Sequence, residues 1–179
     1  MKKINNKGMT AIEILVCFAL VSVIIISMFN VVNNYKNKQE IESYKSDIMT
    51  YKTTVTSTVY DDIIKNKGIT GVTITENEYD STINITYLNG ETATLVIHNQ
   101  LNESDYNNSI FYISFKNSEN VTDKFDLPKI PQLVYNGVKA VNNDGIINIG
   151  VGLEQPELGT KYDVLNIITP NVKTYPGML

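Results

Sequence analysis

Lys7-Gly8-Met9-Thr10-Ala11-Ile12-Glu13-Ile14-Leu15-Val16-Cys17-Phe18-Ala19-Leu20-Val21-Ser22-Val23-Ile24-Ile25-Ile26-Ser27-Met28-Phe29 is the stretch on which the fold turns. A basic head with Lys2 and Lys3 precedes it, and from residue 9 to residue 29 its one carboxylate is Glu13. At ~1.5 Å rise per residue, about 20 apolar residues cross a hydrocarbon core of ~30 Å as a helix. Lipid offers the backbone no hydrogen-bond partners, so a spanning segment must satisfy its own amides. Neither Gly nor Pro interrupts residues 9–29. Glu13 is the anomaly. A carboxylate inside a membrane helix costs about 2 to 3 kcal/mol on the lenient insertion scale, and less near an end, so its presence argues for a partner.

A secretory signal peptide also has a basic start and an apolar core. Here the run is longer than such a core, no A-x-A-like site closes it, and Gly8 lies before the apolar part. A plain signal anchor would gain nothing from Glu13. The residues instead resemble the N-terminal motif of type IV prepilins and pseudopilins: a short basic leader ending in Gly, a cut before a hydrophobic residue, then Thr, two apolar positions, Glu and a long apolar helix. Gly8 stands as the last leader residue, Met9 as the first mature residue and Glu13 as the fifth. The resemblance covers roughly residues 1–35. It implies cleavage after Gly8 by a membrane-embedded prepilin peptidase and N-methylation of Met9. It also implies pairing of Glu13 with a neighbouring subunit's amino terminus during filament assembly, which offsets the burial of both charges. Met9 stands where the family usually has Phe and Ala11 where it has a larger apolar residue. The Pro that often kinks the family's helix is missing, so a straighter helix is expected.

Composition agrees with one membrane helix plus one modest domain: 179 residues, 42% hydrophobic. All 15 basic residues are Lys. With abundant Asn, that bias fits an A/T-rich genome, and the family reading points to a minor pilin of a Gram-positive, low-GC bacterium. Taking the three leader lysines from 15 leaves 12 against 19 acidic residues, a formal charge of −7. Such a domain repels polyanions, which disfavours broad nucleic-acid binding through phosphate contacts. The leader lysines lie on one side of the apolar run, while Lys36, Lys38, Glu40 and Glu42 mix on the other. The positive-inside rule therefore puts the leader in the cytoplasm and the rest outside. Cys17 is the only cysteine, so no intrachain disulfide is expected.

Beyond residue 29, Ile41, Tyr44, Ile48, Tyr51, Val55, Val59 and Ile63 recur in steps of three or four, a helical stripe. One helix is expected from about 9 to about 65, stopped at Lys67 and Gly68. Residues 50–60 are its weak point, because β-branched side chains crowd there and an alternating strand pattern also fits. From Gly71 the period becomes two. The reading is a strand at Val72 and Ile74, then a hairpin of 81–88 with 91–98 across a type I′ turn at Asn89-Gly90. A further strand is expected at 110–115, with loops at 99–108 and 116–131. Strands 132–135, 138–141, 146–153 and 162–169 follow, with hairpin turns at Asn136-Gly137 and 142–145. The organisation is a leader (1–8), a membrane or filament-core half of the helix (9–29), an amphipathic half (30–67) and a β-rich domain (68–179). The fold class is α+β, a pilin-like long helix packed on an antiparallel sheet with additional C-terminal strands.

Chemistry is sparse. His98 is alone, with no second His or nearby Cys to build a zinc site of familiar composition, and no nucleophile elbow accompanies it. Asp61-Asp62, Glu76 with Glu78 and Asp80, and Glu154 with Glu157 lack the spacing of a catalytic pair or a calcium loop. The run Asn142-Asn143-Asp144-Gly145 is accounted for by turn chemistry. No enzyme activity, cofactor or metal is expected. The expected partners are other pilin subunits, the prepilin peptidase, the assembly machinery and, before assembly, the membrane. The alternative is a competence-type pseudopilin or tip adhesin whose ectodomain binds DNA or a surface ligand, with the exposed loops 99–108 and 116–131 as the expected place for a partner-binding surface.

Overall fold

The computed structural model describes residues 11–102, 105, 107–143, 145–156 and 159–172. Gly8 and Met9 lie outside them. The chain forms two compact units, Met1–Ser43 and Tyr44–Leu179. Helix α1, Ala11–Lys65, is helical through both.

In the second unit the helical stripe is the buried one: Ile48, Tyr51, Val55, Val59 and Ile63 enter the core. Residues 50–60 are helix, not strand. Val55 and Val59 are fully buried, and the hydroxyls on the outer face bond back into the helix. Thr50 Oγ1 donates to Ser46 O at 3.0 Å, Thr53 Oγ1 to Met49 O at 2.8 Å and Thr58 Oγ1 to Thr54 O at 3.0 Å. Intrinsic propensity is weak here, so burial of one face decides the conformation.

The helix stops where expected. Gly68 N donates to Ile63 O and Lys67 N to Ile64 O, the paired bonds of a Schellman cap, with Lys67 at φ +63. Gly68 has φ +111, and a Cβ there would lie 2.6 Å from Val172 Cγ2. Gly68→Ala is expected to destabilise the fold by about 2 kcal/mol or more, through backbone strain plus overpacking, read as a lower urea midpoint.

Two antiparallel sheets complete the unit. The first is a five-stranded meander of β1 (Ile69–Glu76), β2 (Asp80–Tyr87), β3 (Thr92–Gln100), β4 (Ile110–Lys116) and β5 (Thr122–Asp126). The second is a three-stranded meander of β6 (Val134–Asn143), β7 (Ile146–Gln155) and β8 (Thr160–Pro170). Period-two patterning buries Ile83 and Ile85 opposite Leu95 and Ala93, and Tyr87 at the end of β2. Both sheets and the helical stripe contribute to one hydrophobic cluster, which makes the class α+β. Two tyrosines tie the helix to strand backbone. Tyr51 Oη donates to Phe125 O at 3.0 Å. Tyr60 Oη donates to Ile168 O and accepts from Ile168 N, both at 3.0 Å, occupying backbone groups of β8 that an edge would leave open. After β8, Val172 N donates to Ile69 O at 2.9 Å, beside a parallel bridge between Ile69 and Asn171.

Three expectations need correction. The β2–β3 turn is not type I′: Gly90 has φ +84 while Asn89 is not in the positive-φ region. Gly90 N donates to Tyr87 O and Tyr87 N to Glu91 O, which is a three-residue loop with Gly at the bulge position. The stretch 116–131 is not all loop, since β5 lies within it. Asn120 at φ +64 provides the positive-φ residue of the turn into it. Asn136-Gly137 is not a hairpin turn but a bulge inside β6, where the register passes from Tyr135↔Leu153 to Val138↔Val151. The turn at 142–145 does join β6 to β7, with Asn143 opposite Ile146; Asp144 is outside the described residues.

Candidate functional site

In the first unit, Glu13 lies in the first turn of α1, where the helix dipole favours an anion. This turn and those that follow expose apolar side chains on every side. Ile12, Leu15, Phe18, Val23, Ile26 and Phe29 are 62 to 73% exposed. A helix that is apolar all round needs an apolar environment, either lipid or other helices. By length and composition this segment is able to cross a membrane. Its polar side chains are consistent with that: Ser22 Oγ donates to Phe18 O at 2.8 Å and Ser27 Oγ to Val23 O at 2.9 Å, so neither hydroxyl needs water. Cys17 is exposed on the same segment.

At the other end of α1, in the second unit, Asp62 is 6% exposed. It follows Val59 by three residues and so falls on the buried face. A carboxylate near a helix C-terminus is electrostatically disfavoured, and here it is compensated by donors from two turns. Tyr87 Oη donates to Asp62 Oδ2 at 2.7 Å, Ser118 N to Oδ2 at 3.0 Å and Ser118 Oγ to Oδ1 at 2.7 Å. Asn66 Nδ2 reaches Asp62 Oδ1 at 3.2 Å and its carbonyl at 2.8 Å. Asn89 Nδ2, from the β2–β3 turn, donates to Asn66 Oδ1 at 2.7 Å. The network fastens the end of the helix to both the β2–β3 and β4–β5 turns. Sequence reading grouped Asp61-Asp62 with the acidic pairs that lack catalytic or calcium-loop spacing and did not separate its two members. The stripe spacing that separates the buried Asp62 from the exposed Asp61 was the available signal.

Burial has a titration consequence for two tyrosines. Desolvation, then the hydrogen bond to and charge of Asp62, hold the Tyr87 hydroxyl far above its ordinary range. Desolvation also raises Tyr51, with Asp126 adding to it against a lowering backbone bond. Both stay protonated in the folded chain at a pH where the unfolded chain, titrating near 10, has lost those protons. The native state then binds more protons, so stability contributed by these hydroxyls is complete below about pH 10 and falls as pH rises above it. Urea midpoints measured from pH 8 to 11 are expected to drop, and Tyr87→Phe is expected to flatten part of the drop.

The outer face of the first sheet carries a row of residues directly opposite one another: Asp80, His98, Tyr112 and Asp126. His98 Nδ1 lies 2.7 Å from Asp80 Oδ1, and its ring stacks on Tyr112 with centroids 4.8 Å apart. Lys124 Nζ covers the other side of Tyr112 at 4.2 Å and pairs with Asp126 at 2.7 Å. These groups occupy one another's faces, which is how cross-strand pairs stabilise a sheet. Glu154 pairs with Lys161 at 3.8 Å, and Glu157 is outside the described residues. Among the described residues, no group of three or more His, Cys, Asp or Glu side chains could hold a metal ion. Comparison with protein-family models, curated proteins and solved structures returns no match.

Proposed function

We propose that this chain is a structural subunit, of the minor kind, of a type IV pilus or related filament. It is inserted as a single-pass membrane protein with the leader inside, processed after Gly8 and methylated at Met9. It is then packed into a cell-surface filament through α1. The observation that carries this reading is the motif itself: a basic leader, the Gly8-Met9 junction and Glu13 as the fifth mature residue, leading straight into turns that are apolar on all sides. The exposed apolar helix supports it, because a monomer in water has no use for such a surface, whereas lipid before assembly and neighbouring helices after it both cover it. The α+β architecture with a long N-terminal helix supports it too. The partners under this reading are other pilin subunits, the prepilin peptidase and the membrane-embedded assembly machinery.

Mass spectrometry of the protein recovered from cells that contain the peptidase tests processing. The expected N terminus is methylated Met9. A chain still beginning at Met1 would overturn the reading.

A further inference from the structure

Two Asn-Gly pairs, at 89–90 and 136–137, are equivalent in sequence but not in structure. We propose that Asn136 is a site of spontaneous deamidation and that Asn89 is protected from it by the fold. Glycine lacks a Cβ, so its amide nitrogen is the least hindered nucleophile the chain can offer to a preceding Asn. The Gly137 nitrogen gives up its proton and attacks Cγ of Asn136. The bond from Cγ to Nδ2 breaks and ammonia leaves with that proton, forming a cyclic imide. Water then opens the imide at one carbonyl or the other, yielding aspartate or its β-linked isomer.

The fold treats the two sites differently. At the first, the Asn89 side chain is pinned at both ends: Nδ2 donates to Asn66 Oδ1 at 2.7 Å, and Oδ1 accepts from Glu91 N at 3.1 Å. The attacking nitrogen is itself engaged, because Gly90 N donates to Tyr87 O at 3.1 Å. Reaction there must first break the bonds that join the turn to the Asp62 network. At the second, Asn136 is exposed and sits in the β6 bulge with Gly137 at φ +97. A bulge takes its extra residue out of the regular ladder. The residue beside the Asn136 side chain on β7 is Gly152; a Cβ there would lie 3.6 Å from Asn136 Cβ and 4.0 Å from Nδ2, so residue 152 packs no side chain against the amide. Conversion adds a carboxylate to an already acidic domain. In the β-linked product it also inserts a backbone carbon next to the bulge, in the strand that ends the sheet order β6-β7-β8 among the described residues.

The test uses the purified full chain in detergent, incubated at mildly alkaline pH and sampled over time. Peptide mapping by mass spectrometry, with separation of aspartate from its β-linked isomer, follows both sites. Asn136 is expected to convert roughly tenfold or more faster than Asn89, a factor that the three hydrogen bonds holding the Asn89 side chain and the Gly90 nitrogen reach at the low end of their ordinary worth. In concentrated guanidinium chloride the two rates are expected to converge. Equal rates in the folded chain, or a difference that survives unfolding, would overturn the proposal.

Discussion

Asp62→Ala is expected to destabilise the chain by about 3 kcal/mol or more, because it removes the acceptor from several donors at once. Tyr87 Oη, Ser118 N and Ser118 Oγ each point at the Asp62 carboxylate, and Tyr87, itself 1% exposed, loses the acceptor of its hydroxyl once the carboxylate is gone. Asp62→Asn keeps the shape and one acceptor oxygen but turns a donor toward donors, so a loss of about 2 kcal/mol is expected. Tyr87→Phe, which deletes only one donor, should cost about 1 kcal/mol. Urea unfolding of the purified chain provides the comparison through shifts in midpoint at unchanged slope. A loss below about 1 kcal/mol for Asp62→Ala would mean that the network orders the turns without stabilising the fold.

Glu13→Ala is expected to leave insertion and cleavage intact while filament incorporation falls by roughly a hundredfold to several thousandfold. Under the proposed function, the substitution leaves a neighbouring amino terminus buried without its counter-charge, a loss of about 3 to 5 kcal/mol. Glu13→Gln, which retains the shape but not the charge, should behave in the same way. Immunoblotting of sheared filaments against the membrane fraction measures the split, and the N terminus of the retained protein reports whether cleavage occurred. Wild-type incorporation of Glu13→Ala would remove the register role from Glu13. Failure of cleavage in the same variant would place its effect one step earlier.

How much of the fold was legible depended on whether the information was local. The long helix could be read from the apolar run and the stripe of Ile48, Tyr51, Val55, Val59 and Ile63, since periodicity is a property of neighbouring residues. Its end at Lys67-Gly68 was readable for the same reason. β5 was missed because Thr122–Asp126 is short, polar and exposed along most of its length. An edge strand of that kind has no buried face to imprint a pattern, and it exists because β4 offers it a ladder. The two Asn-Gly pairs show the same limit. Both are turn formers by chemistry, yet one closes a hairpin and the other bends a strand, because pairing partners far along the chain set the register.

By itself, the sequence determined that a long helix would begin in an apolar segment containing Glu13 and continue into an amphipathic half. It also determined that an alternating, antiparallel β domain would follow, because hydrophobic periodicity acts over a few residues and carries its own signal. Only the tertiary structure decided against the alternating alternative at residues 50–60, divided the eight strands among the described residues into sheets of five and three, and buried Asp62 rather than Asp61. Each of those outcomes rests on burial and hydrogen bonding between groups distant in sequence, such as Asp62 with Tyr87 and Ser118. No local pattern encodes that pairing.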